Sequence, residues 1–365
     1  MILSPDTARA WVDVDLGALV ANARALASVT GSRLLPMVKA NGYGLGAAEV
    51  AGALESIDPW GYGVATVEEG AELRRAGIAR PILVASPMLP EASEPYLAHD
   101  LRPAIGDPEA LAAWCRRSSR PFHLELDTGM HRAGIPWDDA AGLAAVGALL
   151  ADAPGFEGVF THFHSADSDP ASTEVQWARF EGLLAALPRR PPLVHAANSA
   201  AALRGRRYAG DLIRPGIFLY GGAAGGLEPA AVAAFRARVL AVRTVAPGET
   251  VSYGATWRAG TPTRVATIAA GYADGFPRAT RDCEPGARPP RVIEIGGRAA
   301  PVLGRVTMDM TMVAVEGDAV AAGDVATLYG GLVSLDQQAR AAGTISYELL
   351  TGIGSRVPRR YRRAS

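Results

Sequence analysis

Between Trp11 and Gly222 short apolar runs alternate with amphipathic stretches, and this alternation constrains the fold more than any other feature of the chain. Strand-type runs stand at Leu34 to Val38, Gly61 to Ala65, Pro81 to Ala85, Leu101 to Ile105, Phe122 to Leu126, Gly158 to Thr161, Leu193 to Ala197 and Ile213 to Leu219, with helix-like segments between most of them. Leu16 to Ser28 has helical periodicity, with Asp15 placed as its N-cap and Gly31 as its stop. Eight parallel-type strands alternating with helices over about 210 residues suit an α/β fold of the (β/α)8 TIM-type barrel kind, although a doubly wound sheet shows the same alternation. The polar motifs tilt the choice. Lys39, Asp127 to Arg132, His162, Asn198-Ser199 and Arg214-Pro215-Gly216 all fall at or just beyond strand ends, the face on which barrel enzymes build their sites.

The pattern changes near Gly221. Gly221-Gly222-Ala223-Ala224-Gly225-Gly226 reads as a flexible crossing, with a helical stretch near Pro229 to Phe235 after it. Runs such as Ala237 to Val245, Arg264 to Ala269, Arg291 to Ile295 and Val325 to Tyr329, broken by Gly and Pro, then predict a mostly β C-terminal domain. The expected division is a barrel over residues 10–232 and a mostly β domain over residues 233–365, with residues 1–9 as candidates to pack with the latter.

With 365 residues, 49% of them hydrophobic, the chain can bury a large core in two domains. Its net charge of −1 is dispersed, without a basic stripe interleaved with aromatics, which argues against nucleic acid as a partner. The start has no basic segment followed by an apolar one, and the longest apolar stretch, Ala140 to Ala151, is too short to span a bilayer. No membrane partner and a cytoplasmic location are therefore expected. Cys115 and Cys283 stand alone without CxxC spacing, so neither a disulfide framework nor a metal site is expected.

The cations carry a sharper message. Of 36 Lys plus Arg, only Lys39 is lysine, in Val38-Lys39-Ala40-Asn41-Gly42-Tyr43-Gly44. Arginine replaces lysine wherever a surface charge suffices, but a guanidinium stays protonated and cannot form an imine, whereas an amine can. The retained lysine is thus the candidate reactive group.

Set beside Asp127-Thr128-Gly129-Met130-His131-Arg132, Arg214-Pro215-Gly216-Ile217, Val251-Ser252-Tyr253-Gly254, Gly271-Tyr272-Ala273-Asp274-Gly275 and Met308-Asp309, the lysine motif makes the chain resemble the alanine racemase family almost end to end. Each motif alone is modest; six in family order are specific. The resemblance implies a pyridoxal 5'-phosphate enzyme in which Lys39 carries the cofactor as an internal aldimine and racemises alanine through an external aldimine. Lys39 and Tyr253 would be acid/bases on opposite faces, the tyrosine coming from the other subunit of a homodimer. Arg214 would face the pyridine nitrogen, where a guanidinium weakens the electron sink and favours returning the proton over transamination. His162 would partner that arginine. Tyr43, Asn198, Ser199, Gly216 and Ile217 would hold the phosphate, and Arg132, Met308 and Asp309 the substrate carboxylate. Asp167, Tyr272, Arg278 and Arg305 match the family's entrance residues. The implied role is supply of D-alanine for peptidoglycan.

The chain departs from the family at two places. Many members have a carbamylated lysine where Glu125 stands here, and a glutamate supplies that negative charge directly, so Glu125 is expected to orient Arg132. The tyrosine that touches the phosphate just before Arg-Val-Pro-Arg is Ser355 here, with Tyr361 as the alternative source of the phenol. Without that phenol the pocket widens, and serine joins alanine as a candidate substrate. A decarboxylase of the same barrel type would need only one face-specific proton donor, and a non-catalytic PLP-binding carrier would lack residues 233 to 365.

Overall fold

The structure, a computed structural model, describes residues 7–278 and 289–363. Cys283 lies outside them. Helix Leu16–Thr30 forms as its ends predict: the Asp15 carboxylate accepts from Ala18 N at 2.9 Å, and Gly31 closes the last turn at φ 72°. Tyr62–Val64, Ile82–Pro87, Arg102–Ile105, Phe122–Asp127, Phe156–Phe160 and Leu193–His195 pair side by side, all parallel. Leu212–Ile213 pairs in parallel with Arg33–Leu34, Met37 bridges to Gly63, and Arg214 N donates to Ala197 O at 2.8 Å, which carries the strands round into a barrel.

Two of these strands are shorter than their apolar runs. Leu34 to Val38 keeps only Arg33–Leu34 and the Met37 bridge, and Ile213 to Leu219 stops at Ile213 before a 3-10 turn at Ile217–Tyr220. Pro36 and Pro215 lack the N–H that a continued ladder needs.

The stretch from Pro229 to Phe235 is not helical. Ala233–Val245 is one long strand, and it takes Ala10–Asp15 antiparallel along one edge, with Ala10 opposite Ala237. Alanines favour helix locally, but alternating burial and strand pairing override that preference here. The rest of the second domain is mostly β as expected, its sheet including Thr263–Ile268, Val292–Ile295, Arg298–Pro301, Thr311–Ala314 and Val325–Tyr329. Ala10–Asp15 is also paired in parallel with the C-terminal strand Arg359–Arg362. That last strand reaches the lysine loop: Arg359 Nε donates to Gly44 O and Tyr361 Oη to Leu45 O, each at 2.9 Å. Among the described residues no helix is long and apolar enough to cross a membrane.

Candidate active site

Lys39 opens a tight turn, Lys39–Tyr43, at the C-terminal end of the first barrel segment. Ala40, Asn41, Gly42, Tyr43 and Gly44 all have positive φ, between 52° and 80°, so five successive residues turn left-handed. Only glycine does this without cost, about 1–2 kcal/mol per other residue, so the surroundings must hold the turn. They do: Ala40 N donates to Glu69 Oε1 at 2.6 Å, Ala47 N to Asn41 Oδ1 at 3.0 Å, and the C-terminal strand takes the carbonyls beyond. The consequence is that Lys39 and buried Tyr43 share one loop. Burial lowers the Lys39 amine below the ordinary lysine range; Arg132 and Arg214 push the same way, against Glu69. Glu69 escaped the sequence reading, although Thr66 and Glu69 carry the capping-box spacing that would have exposed its cap to helix Val67–Arg75.

Arg214 is buried at the end of the last barrel strand. Its Nη1 donates to His195 Nδ1 at 2.7 Å and to His195 O at 3.0 Å; its Nη2 donates to Thr161 O at 2.8 Å and Ala196 O at 3.1 Å. His162 Nδ1 stands 3.4 Å from Nη2. All these acceptors are neutral, and among the described residues no carboxylate forms an ion pair with this guanidinium. Burial lowers it to about 10, with Glu125 opposing, so it stays charged near neutrality. The same burial, with Arg214, Arg132 and Lys39, lowers His162 to about 3 and keeps it neutral.

Beside them, Ser199 Oγ accepts from Gly216 N at 3.0 Å and Phe218 N at 3.4 Å, and Asn198 caps the following turn through Ala201 N at 3.0 Å. Tyr43 stacks on Tyr220 with centroids 4.4 Å apart, and Ile217 is buried behind. Burial raises the Tyr43 phenol above its ordinary range, so it remains a neutral donor.

Asp127 shapes the next loop by accepting from the backbone of Gly129, Met130 and His131 at 2.9, 2.9 and 3.1 Å, which leaves Arg132 exposed at its end. Glu125 is only 4% exposed and its Oε2 has no partner. Burial raises its carboxyl to about 7 despite Arg214 and Arg132. No hydrogen bond or ion pair joins Glu125 to Arg132, so the expected orienting contact is not formed, and the arginine acts on the carboxyl only electrostatically.

Tyr361 sits otherwise than the phosphate role requires. Its hydroxyl proton goes to Leu45 O, and its ring end lies against Gly46. Ser355 is exposed on a turn. The phenol nearest Tyr43 from this part of the chain is Tyr347, 6.0 Å away centroid to centroid, and Asp167 acts on it electrostatically.

A second cluster lies on the β domain. Ser252, Tyr253, Thr307, Met308, Asp309, Met310 and Met312 line an open cavity of about 410 Å³, with Tyr253 69% and Met308 52% exposed. Ser252 Oγ donates to Arg305 O, and Tyr272 N donates to Thr307 O at 3.1 Å, so Arg305 and Tyr272 brace the cavity's wall. Arg278 is exposed. Asp309 accepts from Arg356 at 2.6 Å, and buried Asp274 accepts from both Arg356 and Arg9. Among the described residues no hydrogen bond, ion pair or ring contact joins Tyr253, Met308 or Asp309 to Lys39 or Arg214.

The first cluster suits pyridoxal phosphate. It offers one amine of lowered basicity, a charged guanidinium without a carboxylate, and hydroxyls and amides gathered at Tyr43, Ser199 and Gly216. Gly216 lies so close to Tyr43 that a β-carbon would fill the cradle. The family models "Alanine racemase, N-terminal domain" and "Alanine racemase, C-terminal domain" match residues 14–224 and 232–361. The alanine racemase of Deinococcus radiodurans is 42% identical over 96% of this chain and 99% of its own length. The crystal structure of the enzyme from D-cycloserine producing Streptomyces lavendulae superposes with a TM-score of 0.88 at 33% identity, covering 98% of each chain. That of Bartonella henselae, solved with covalently bound pyridoxal phosphate, does so at 0.88 and 29% identity, covering 97% of this chain and 100% of its own. The chain belongs to the alanine racemase family of pyridoxal-phosphate-dependent isomerases.

Proposed function

We propose that the chain interconverts L- and D-alanine, with Lys39 and Tyr253 of a second copy moving the α-proton on opposite faces. The observation that carries this reading is the separation of the two clusters: Lys39 and Arg214 lie in the barrel, while Tyr253, Met308 and Asp309 sit exposed on the other domain of the same chain. A homodimer that sets the β domain of one copy over the barrel mouth of the other completes both sites and covers the exposed Tyr253, Met308 and Met310. Cofactor held by the barrel residues would withdraw electrons from the amino acid's α-carbon and make its proton removable, with the Lys39 amine free of it at that stage. Lys39, kept less basic than usual by its surroundings, takes or returns that proton on one face. The phenol of Tyr253 serves the opposite face. Arg214 stays charged and shares no proton with a carboxylate, which limits electron withdrawal and favours reprotonation over transamination. Tyr43, Asn198, Ser199, Gly216 and Ile217 hold the phosphate; Arg132, Met308 and Asp309 fix the substrate carboxylate; Glu125 tempers the positive field of Arg132 and Arg214. Asp167, Tyr272, Arg278 and Arg305 frame the entrance.

In this reading the barrel domain ends at residue 232 and the β domain spans residues 233–365, with Ala10–Asp15, expected in the barrel, joining the β domain's sheet instead; the product serves peptidoglycan synthesis in the cytoplasm. With the Tyr361 phenol given to Leu45, Tyr347 is the phenol that stands beside Tyr43, and serine is a second candidate substrate after alanine. Purified protein with added cofactor is expected to form D-alanine from L-alanine and, more slowly, D-serine from L-serine, and Lys39→Arg to abolish both. Cofactor binding without racemisation of either would overturn the assignment.

A further inference from the structure

The centre of a barrel of this kind is ordinarily filled by layers of branched apolar side chains. Here a line of polar groups runs through it. His195 and His123 are both fully buried, His195 Nε2 lies 2.8 Å from His123 Nδ1, and His123 Nε2 lies 3.1 Å from Glu157 Oε2. That same oxygen accepts from Arg102 Nε at 2.9 Å. At the other end stands Arg214, donating to His195 Nδ1 at 2.7 Å.

The chemistry of the two ends fixes the direction of the line. A guanidinium only donates and a carboxylate only accepts, so His195 must present a bare Nδ1 to Arg214 and His123 must give its Nε2 proton to Glu157. Both demands are met by one arrangement, the neutral Nε2–H tautomer of each imidazole, which also satisfies the 2.8 Å contact between them. Rings hold it in place: Phe160 stacks on His195 at 5.0 Å and 10°, and Trp60 packs at 5.5 Å on His123.

We propose that Glu157, acting through His123 and His195, is a positioning residue for Arg214. The carboxylate polarises two imidazoles in series, which lends the buried guanidinium part of a negative charge while keeping any carboxylate away from the cofactor ring. A carboxylate placed directly beside Arg214 would pair with it and draw it aside. The relay holds it forward, and Arg102 anchors the far end as an ion pair with Glu157. This inference rests on the racemase reading of the same site.

Nitrogen-15 NMR of histidine-labelled protein, with and without cofactor, is expected to show His123 and His195 both as neutral Nε2–H tautomers. In Glu157→Leu the His123 signal should become a tautomer mixture. With cofactor bound, kcat for L-alanine should fall roughly ten- to a hundredfold, the scale of a misplaced orienting group. KM should stay within about twofold, and release of the 2-oxo acid per racemisation event should rise. Glu157→Gln, which keeps an acceptor oxygen without charge, should restore tautomer order and part of kcat, and it tests the relay if the leucine variant does not fold. An Nδ1–H or doubly protonated His195 in the unmodified protein would overturn the proposal, as would unchanged kcat and 2-oxo acid release in both variants. Absence of racemisation by the unmodified protein would count against the functional reading, and the tautomers would still test the relay.

Discussion

Gly216 stands against Tyr43 so closely that a β-carbon on the glycine would run into the phenol oxygen. Ser199 accepts from the same glycine's N–H at 3.0 Å, so the amide cannot move away without losing that bond. Gly216→Ala is therefore expected to weaken pyridoxal phosphate binding by about tenfold or more, measured by titrating apoprotein and following cofactor absorbance. Gly147→Ala, in helix Ala140–Leu150 with nothing within 4 Å of the new methyl, is the control. It should leave binding unchanged and stabilise the fold by about 0.5–1 kcal/mol.

Glu125 is a buried carboxyl raised to about 7, well above its value in an unfolded chain. The native state therefore binds the proton more tightly than the unfolded state, and this group's contribution to stability is full at low pH and lost as pH rises through about 7. Glu125→Gln should accordingly raise Tm at pH 8 by roughly 2–4 °C and have little effect below about pH 4.5, read from apoprotein melts at both pH values. An equal shift at both pH values would mean that the carboxyl does not titrate as its surroundings require.

The left-handed turn after Lys39 gives opposite signs for two substitutions at one exposed site, Ala40 at φ 52°. Ala40→Gly removes about 1–2 kcal/mol of left-handed strain and adds about 0.5–1 kcal/mol of chain entropy in the unfolded state, for a small net stabilisation. Ala40→Val adds a β-branch to the strained backbone and should destabilise by about 1 kcal/mol or more. Thermal melts that rank valine above glycine would contradict the turn.

Asp274 is 1% exposed and accepts from Arg9, from Arg356 and from Gly271 N at 2.9 Å. Because Arg356 also holds Asp309, this carboxylate ties the 271–275 turn to the loop carrying Met308. Both arginines are partly solvated, so the loss in Asp274→Asn is that of buried hydrogen bonds, about 1–3 kcal/mol. Tm should fall and KM for alanine should rise more than kcat falls.

Much of the barrel was legible because period-2 and period-3.6 patterns need no long-range knowledge, and the single lysine marked the left-handed loop at the barrel mouth. Where distant contacts decide, the sequence was silent or misleading. Ala233 to Phe235 read as helix because nothing local announces that Ala10–Asp15 will pair there. The left-handed run could be guessed at Gly42 and Gly44 but not at Ala40 or Tyr43, which adopt it only because Glu69, Arg359 and Tyr361 hold the loop. His123 and His195 were hidden inside apolar strand runs, and their line appears only when the strands close side by side. Tyr361 was read by its motif, whereas its hydroxyl is taken by a carbonyl 316 residues away in sequence.

The central claim is that each active site draws Lys39 from one copy and Tyr253 from another. Lys39→Arg and Tyr253→Phe proteins, each inactive alone, should be mixed in equal amounts, dissociated to monomers, reassociated with cofactor, and assayed for D-alanine formation. If the site is shared, each hybrid dimer holds one intact site, and random reassociation recovers about a quarter of the unmutated activity. If both residues act within one chain, every site in the mixture carries a defect, and activity that stays at the level of the separate variants would contradict the account.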